Sequence, residues 1–310
     1  MENRLGIGEV LLLVAVALIW GFNFVMLKVG LDDMPPFLFN ALRFAIVIPC
    51  ILFIPKPDLS WSRLIQLGIV FGVLLFGLLL LGMYLGVPAG LASLIMQTQV
   101  FFTVLLGMVL LAERPSWLRW LAMLIGFSGI AIIGYSMIEP SSFEAKATAF
   151  LSVVGAAFCW GIANIMMKRM TSAGMQSVMV WLSLVPPLPL YAMSLIMDGQ
   201  PRITSALVNL SWVGVIAVIY TGLISTALAY GIWGTMLKRH STAVVTPFAL
   251  LVPVFGFSLS AIFLGEEYSV LQMTAAGVVT AGLALNVAAP YLQQSRFLPR
   301  KKAPVRAGPV

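Results

Sequence analysis

Residues 20–28 read WGFNFVMLK, and residues 160–168 read WGIANIMMK. Tryptophan, glycine, methionine and lysine return at a constant spacing of 140 residues, and each copy carries an asparagine, Asn23 and Asn164, one position out of step. Trp20 lies in the first apolar run of the chain and Trp160 in the sixth. If every run crosses a bilayer, an odd number of crossings separates the copies, and the second is inverted relative to the first. The phrase therefore predicts an all-α integral membrane protein, with ten transmembrane helices arranged as a 5+5 inverted-topology repeat.

Composition agrees with a lipid setting. The 310 residues are 61% hydrophobic and 9% charged, against about 25% charged in soluble domains. A crossing takes roughly 20 apolar residues. Ten runs qualify, at about 10–30, 37–55, 64–84, 88–111, 118–138, 147–168, 177–197, 211–235, 241–264 and 270–290. Short connections leave no room for a soluble domain. The expected organisation is a first repeat over 1–139, a second over 140–290, and a basic tail over 291–310.

Basic residues orient the bundle. With the N-terminus in the cytoplasm, fourteen of the 18 Lys and Arg fall on the inside, and only Lys28, Lys146 and Arg202 fall outside. Arg43 lies within the second run. This is the positive-inside pattern, and it predicts both termini in the cytoplasm. It also accounts for the net charge of +7 without a nucleic-acid partner.

A second pair of segments, 88–133 and 241–286, matches at a spacing of 153. Glu113 meets Glu266, Ser116 meets Ser269, and Gly129 meets Gly282. Each copy reads as a helix, a short acidic turn, and a serine able to cap the next helix. The extra 13 residues between the two spacings fall around the seventh and eighth runs. Inverted repeats place a binding site near the membrane midplane, which favours a transporter over a non-transporting scaffold.

The stretches WGFNFVMLKVG, MPPFLFNALRF, PAGLASLIMQTQVFFTVLLG, LAERPSW, YGIWGTMLKRHSTAVVTPFALLVPVFG and LGEE resemble the EamA-type drug/metabolite transporter superfamily. Within it they are most similar to the bacterial exporters of amino-acid metabolites such as cysteine and O-acetylserine. The resemblance covers roughly residues 8–290. It implies ten helices, cytoplasmic termini, a central cavity and export across the inner membrane. A broader exporter of aromatic or drug-like compounds is the alternative within the class.

Several residues could line a pathway. Arg43 is a charge inside a spanning helix, costly at about 2.5–3.5 kcal/mol on insertion scales. It reads as a counter-ion for a substrate carboxylate, as a partner of Asp32 or Asp33, or as a snorkelling side chain. On the fourth helix, Ser93 and Gln97 share one face, while Gln99 and Thr103 share another, roughly 120° away at 100° per residue. One face is expected to line the cavity and the other to bond a neighbouring helix. Thr226, Tyr230 and Trp233 share an arc of the eighth helix, as a cavity wall or an interfacial belt. Asn23 and Asn164 are pathway groups or inter-helix glue. Pro247 and Pro253 should bend the ninth helix, as a gate or a plain kink. Ala122, Gly126 and Gly129 face Ala275 and Gly282 as a close helix contact.

The gaps in the sequence narrow the chemistry further. No acidic residue lies inside an expected hydrocarbon core, His240 is the only histidine, and Cys50 and Cys159 sit in apolar runs. No metal, cofactor or intramembrane proton relay is expected. Export down the substrate's own gradient, or weakly coupled antiport, follows. HExxH, GxSxG, Walker A and GxGxxG are all missing, so an enzyme is not expected. One deep arginine suits a small neutral or zwitterionic solute better than a phosphate, which takes several cations. Lipid is the other expected partner, and the oligomeric state is left open.

Overall fold

The computed structural model describes residues 5–137, 143–170 and 174–297. Every element among them is helical. In chain order these are α1 (Ile7–Asp33), α2 (Pro36–Leu52), α3 (Trp61–Tyr84), α4 (Ala89–Leu111), α5 (Trp117–Met137), α6 (Phe143–Lys168), α7 (Met175–Leu182 and Pro187–Met197), α8 (Trp212–Arg239), α9 (Thr246–Leu264) and α10 (Val270–Phe297). A further helix, Gly199–Val208, lies between α7 and α8.

Eight of these helices are long and apolar enough to cross a membrane, and α7 makes nine if its two arms, bent by 41°, form one span. The expected count of ten meets its exception at α2. Pro49 falls in a tight 3₁₀ turn over Ile48–Leu52, and helix ends there rather than at residue 55. At the other end of the chain, α10 runs to Phe297, so the first residues of the expected tail are helical. Residues 298–310 lie outside the described residues, as does the expected boundary at 139/140.

The two faces of the bundle are fixed by contacts between helix ends. Near the start of α1, His240 Nε2 lies 2.8 Å from Glu9 Oε1, and Lys168 pairs with Glu113. We call this the proximal face. At the opposite, distal face, Asp33 accepts from the Ser211 hydroxyl, and Arg202 Nη2 donates to Tyr84 Oη at 2.7 Å.

The glycine stripes do the packing the sequence suggested. A Cβ on Gly282 would sit 2.7 Å from Gly126 N and 2.8 Å from Ala122 O, and one on Gly129 would sit 2.9 Å from Val279 N. Backbone therefore meets backbone between α5 and α10, the only geometry in which dispersion alone holds helices together in lipid. Large apolar side chains such as Val109, Leu124, Ile262 and Phe263 are exposed on the outside. Only a hydrocarbon surround covers such a surface favourably.

Four helices are irregular. α3 widens to π-helical over Gly68–Leu75, and α8 over Tyr220–Leu228. α4 breaks at Gln97–Thr98, and the run leading into α9 passes through a 3₁₀ stretch, Thr246–Leu250, before straightening at Leu251. The ends of α4 and α9 also match. Ala112 (φ 54°) and Gly265 (φ 65°) both turn left-handed, with the next amides, Glu113 and Glu266, donating back to Gly107 O and Ser260 O. Each turn is a Schellman-type cap that presents a glutamate.

Candidate functional site

Between the helices lies a cavity of about 660 Å³. Its wall reaches the exposed Pro290 and Tyr291 at the proximal face. Towards the distal face it stops at the buried Phe24 and Phe76, short of Glu266.

Arg43 is the cavity's charge. It is 1% exposed and forms no ion pair among the described residues. The partners the sequence offered are engaged elsewhere, Asp32 with Lys28 and Asp33 with Ser211. Instead, Arg43 Nη2 donates to Thr226 Oγ1 at 3.0 Å and to Thr221 O at 3.3 Å, and the guanidinium lies 3.9 Å from the Phe76 ring centroid. The π-helical stretch makes this possible. Thr226 Oγ1 donates to Thr221 O, five residues back, at 2.8 Å. The wide turn thus aims a carbonyl and a hydroxyl at the cation. Gly222 lets α8 approach closely, since a Cβ there would collide with the Arg43 carbonyl. Nε and Nη1 of Arg43 remain buried without a protein partner.

Gln97 and Gln99 both line the cavity, contrary to the expectation that they face apart. That expectation assumed an unbroken helix at 100° per residue. The break at Gln97–Thr98 resets the phase and turns both amides inward. Gln97 Nε2 donates to Ala249 O at 3.1 Å, so the irregular stretches of α4 and α9 meet one another. Gln99 accepts from Asn164 Nδ2, which also donates to Thr103 Oγ1 at 3.0 Å. Asn164 and Thr103 are therefore both inter-helix glue and cavity wall. Asn23 also lines the cavity, and its Oδ1 is buried without a partner.

Tyr230 and Trp233 are each 8% exposed and stand in the cavity wall, not at a belt. They pack on Trp20, with ring centroids at 5.0 and 5.2 Å. Trp20 Nε1 donates to Ser225 O at 3.1 Å.

Three expected residues are not in the wall. Ser93 is fully buried, donates to Gly90 O at 2.7 Å, and packs against Gly256 of α9. The same break that turned Gln97 inward left Ser93 in the seam between α4 and α9. Pro247 sits in the 3₁₀ stretch and Pro253 is buried in α9. Both mark the irregular start of α9 without touching the cavity.

Sequence reasoning passed over Trp20, Trp160 and Asn286, all in the wall. Trp20 and Trp160 belong to the repeated phrase, read there only as a marker of duplication. Asn286 is nine-tenths buried, with Oδ1 unpartnered. Its signal was present, as a polar amide in the middle of the last apolar run.

A polar-centred, aromatic-walled cavity inside a lipid-facing helical bundle defines a multi-pass membrane protein of the solute-carrying kind. Comparison with known proteins agrees. A model of the EamA-like transporter family matches residues 7–135 and 147–288, and the chain belongs to that family. It is a transporter, not an enzyme. It is 36% identical over 280 residues to a protein of Salmonella typhimurium named "Probable amino-acid metabolite efflux pump", covering 88% of this chain and 92% of that one. It is 35% identical, with the same coverage, to a protein of that name from Escherichia coli K12. A solved crystal structure with 18% identity covers 90% of this chain at a TM-score of 0.61, a likeness of fold.

Proposed function

We propose that this protein exports small zwitterionic amino-acid metabolites, of the cysteine and O-acetylserine type, across the bacterial inner membrane by alternating access. The observation that carries this reading is the set of unsatisfied polar atoms in one cavity. Arg43 offers two unpaired N–H groups, while Asn23 and Asn286 offer unpaired carbonyl oxygens. Buried polar groups are nearly always paired. A solute with a carboxylate at one end and an ammonium at the other complements both sets, the first accepting from Arg43 and the second donating to the amides. The names of the two efflux-pump relatives support the direction and the substrate class.

In this reading the eight long helices, the bent α7 and the short α2 form ten crossings, with α2 tolerated because proteins bury its end. The two family matches and the paired left-handed turns after α4 and α9 support two inverted halves, 1–139 and 140–290. Irregular helices meeting at the site fit the pattern of secondary transporters. The basic-residue pattern supports cytoplasmic termini, which puts the proximal face inside.

The test is a metabolite profile of culture medium with and without expression, followed by efflux from proteoliposomes loaded with cysteine or O-acetylserine. Accumulation of either outside, with resistance to toxic external amounts, is the expected result. No flux of any amino acid would leave a scaffold as the better account. A second reading has its own support. The cavity volume falls within the roughly 300–1,000 Å³ of drug-sized pockets, and Trp20, Trp160 and Trp233 line it. Efflux of aromatic or cationic compounds in preference to amino acids would favour a broader exporter.

A further inference from the structure

The distal end of the bundle is held by one carboxylate. Glu266, in the turn after α9, accepts from the first two amides of α4: Ala89 N at 2.6 Å and Gly90 N at 3.0 Å. These amides have no acceptor within their own helix, and a carboxylate suits the positive end of the helix dipole. Tyr268 Oη donates to the same carboxylate at 2.6 Å, while its ring stacks on Phe257 of α9 at 3.7 Å. Burial, with the Glu266 carboxylate beside it, pushes the Tyr268 phenol well above its ordinary range, so it stays a donor. Ser93 lies one turn further in, sealed against Gly256.

The 153-residue spacing carries every part of this latch into the other half. Glu266 corresponds to Glu113, Gly265 to Ala112, and Ala89 and Gly90 to Thr242 and Ala243. The turns presenting the two glutamates have the same left-handed geometry. Residues 242 and 243 begin the helical run that leads to Leu264. Even the departures correspond. Tyr268 faces Gly90, where any Cβ would strike the phenol oxygen, and the matching positions hold Pro115 and Ala243, without the phenol and with the Cβ. Yet Glu113 does not hold the start of that run. It pairs with Lys168, both side chains about half exposed (43% and 58%), an arrangement of little worth. The cavity is open at this same, proximal end.

We propose that Glu266 and Glu113 are alternating latches. Glu266 on the amides of Ala89 and Gly90 shuts the distal end while the cavity is open proximally. In the opposite state Glu266 lets go, and Glu113 leaves Lys168 to take the amides of Thr242 and Ala243, shutting the proximal end. This rests on the alternating-access reading above, and the experiment separates the two.

In protein lacking Cys50 and Cys159 and held in nanodiscs, two single cysteines report the ends. Met167→Cys lines the proximal part of the cavity, and Ser93→Cys lies in the distal seam. A charged thiosulfonate reagent reads access to each. In otherwise wild-type protein, saturating O-acetylserine or cysteine sulfinate should change the two rates in opposite senses. If the rates do not move reciprocally, alternation falls and the latches with it. Given alternation, Glu266→Gln should speed labelling at Ser93→Cys and slow it at Met167→Cys, by about tenfold if two charge-assisted bonds are weakened. Glu113→Gln should push the other way and leave Ser93→Cys protected even with solute. Tyr268→Phe, a milder change that keeps the ring stack, should shift access in the sense of Glu266→Gln by a smaller factor, and it serves if Glu266→Gln does not fold. Shifts in the same direction for both glutamates, or no shift in a protein that still alternates, would overturn the latch proposal alone.

Discussion

Replacing Arg43 by glutamine gives the sharpest test of how the cavity reads its solute. In the structure one guanidinium nitrogen is anchored on Thr226 and Thr221, and two N–H groups are left over. A hydrogen bond to a charged group contributes about 1.5–3 kcal/mol. Losing both bonds to a carboxylate, while the glutamine amide recovers part of one, should cost about 3 kcal/mol, or roughly 100-fold in affinity at 1.4 kcal/mol per tenfold. A solute whose carboxylate is masked as a methyl ester never made those bonds. Its KM should change by less than about fivefold, the residue of lost packing on Phe76. The assay is initial-rate efflux from proteoliposomes for one amino acid and its methyl ester, in wild type and Arg43→Gln, with thermal unfolding of the purified variant as a control on folding. Arg43→Lys keeps the charge but not the fork and should fall between the two, at about tenfold. Equal losses for the acid and the ester would refute the reasoning and make Arg43 a structural bolt between α2 and α8.

Three other outcomes are expected. Asn286→Leu should weaken amino-acid efflux by about tenfold while leaving a desamino analogue nearly unaffected, because only the ammonium needs the lost acceptor; side-by-side efflux of the two compounds checks this. Asn164→Leu removes the donor between Gln99 and Thr103 and should lower the unfolding temperature through about 1–3 kcal/mol of unpaired buried amide, as measured by thermal aggregation in detergent. Gly282→Ala forces a methyl to within 2.7 Å of the Gly126 backbone nitrogen. Backbone cannot step aside as a side chain can, so a loss of about 1–3 kcal/mol is expected, with a lower melting point and poorer membrane yield.

What the sequence revealed depended on whether the backbone stayed regular. The α5–α10 contact was readable because Ala122, Gly126, Gly129 and Gly282 keep the helical period without interruption. The paired glutamates after α4 and α9 were readable as a spacing, since a turn is fixed by local chemistry. Their different contacts were not, because one sequence repeat serves both states of a moving molecule. The relation of Gln97 to Gln99 was misread for a reason physics supplies: a two-residue break in α4 leaves no compositional mark, as no proline or glycine lies at 97–98. The shortness of α2 was hidden by Ile51, Leu52 and Phe53, apolar residues that continue past the end of the regular helix. Gly199–Val208 is helical although it carries few apolar residues, and hydropathy alone does not find such a segment. Asn286 was in view throughout and was passed over because it has no counterpart at either repeat spacing.

The wide turns of α8 have a consequence for how this protein can change over time. Tyr220–Leu228 holds more residues per revolution than the flanks do, so it acts as a slack loop in a wound spring. Deleting one residue there would let the helix tighten while rotating everything after it by about 100°. Tyr230 and Trp233 would swing off the cavity together, and new side chains would take their places. A single codon lost in this stretch would thus re-tool the wall in one step, a route to new cargo that no series of point substitutions matches.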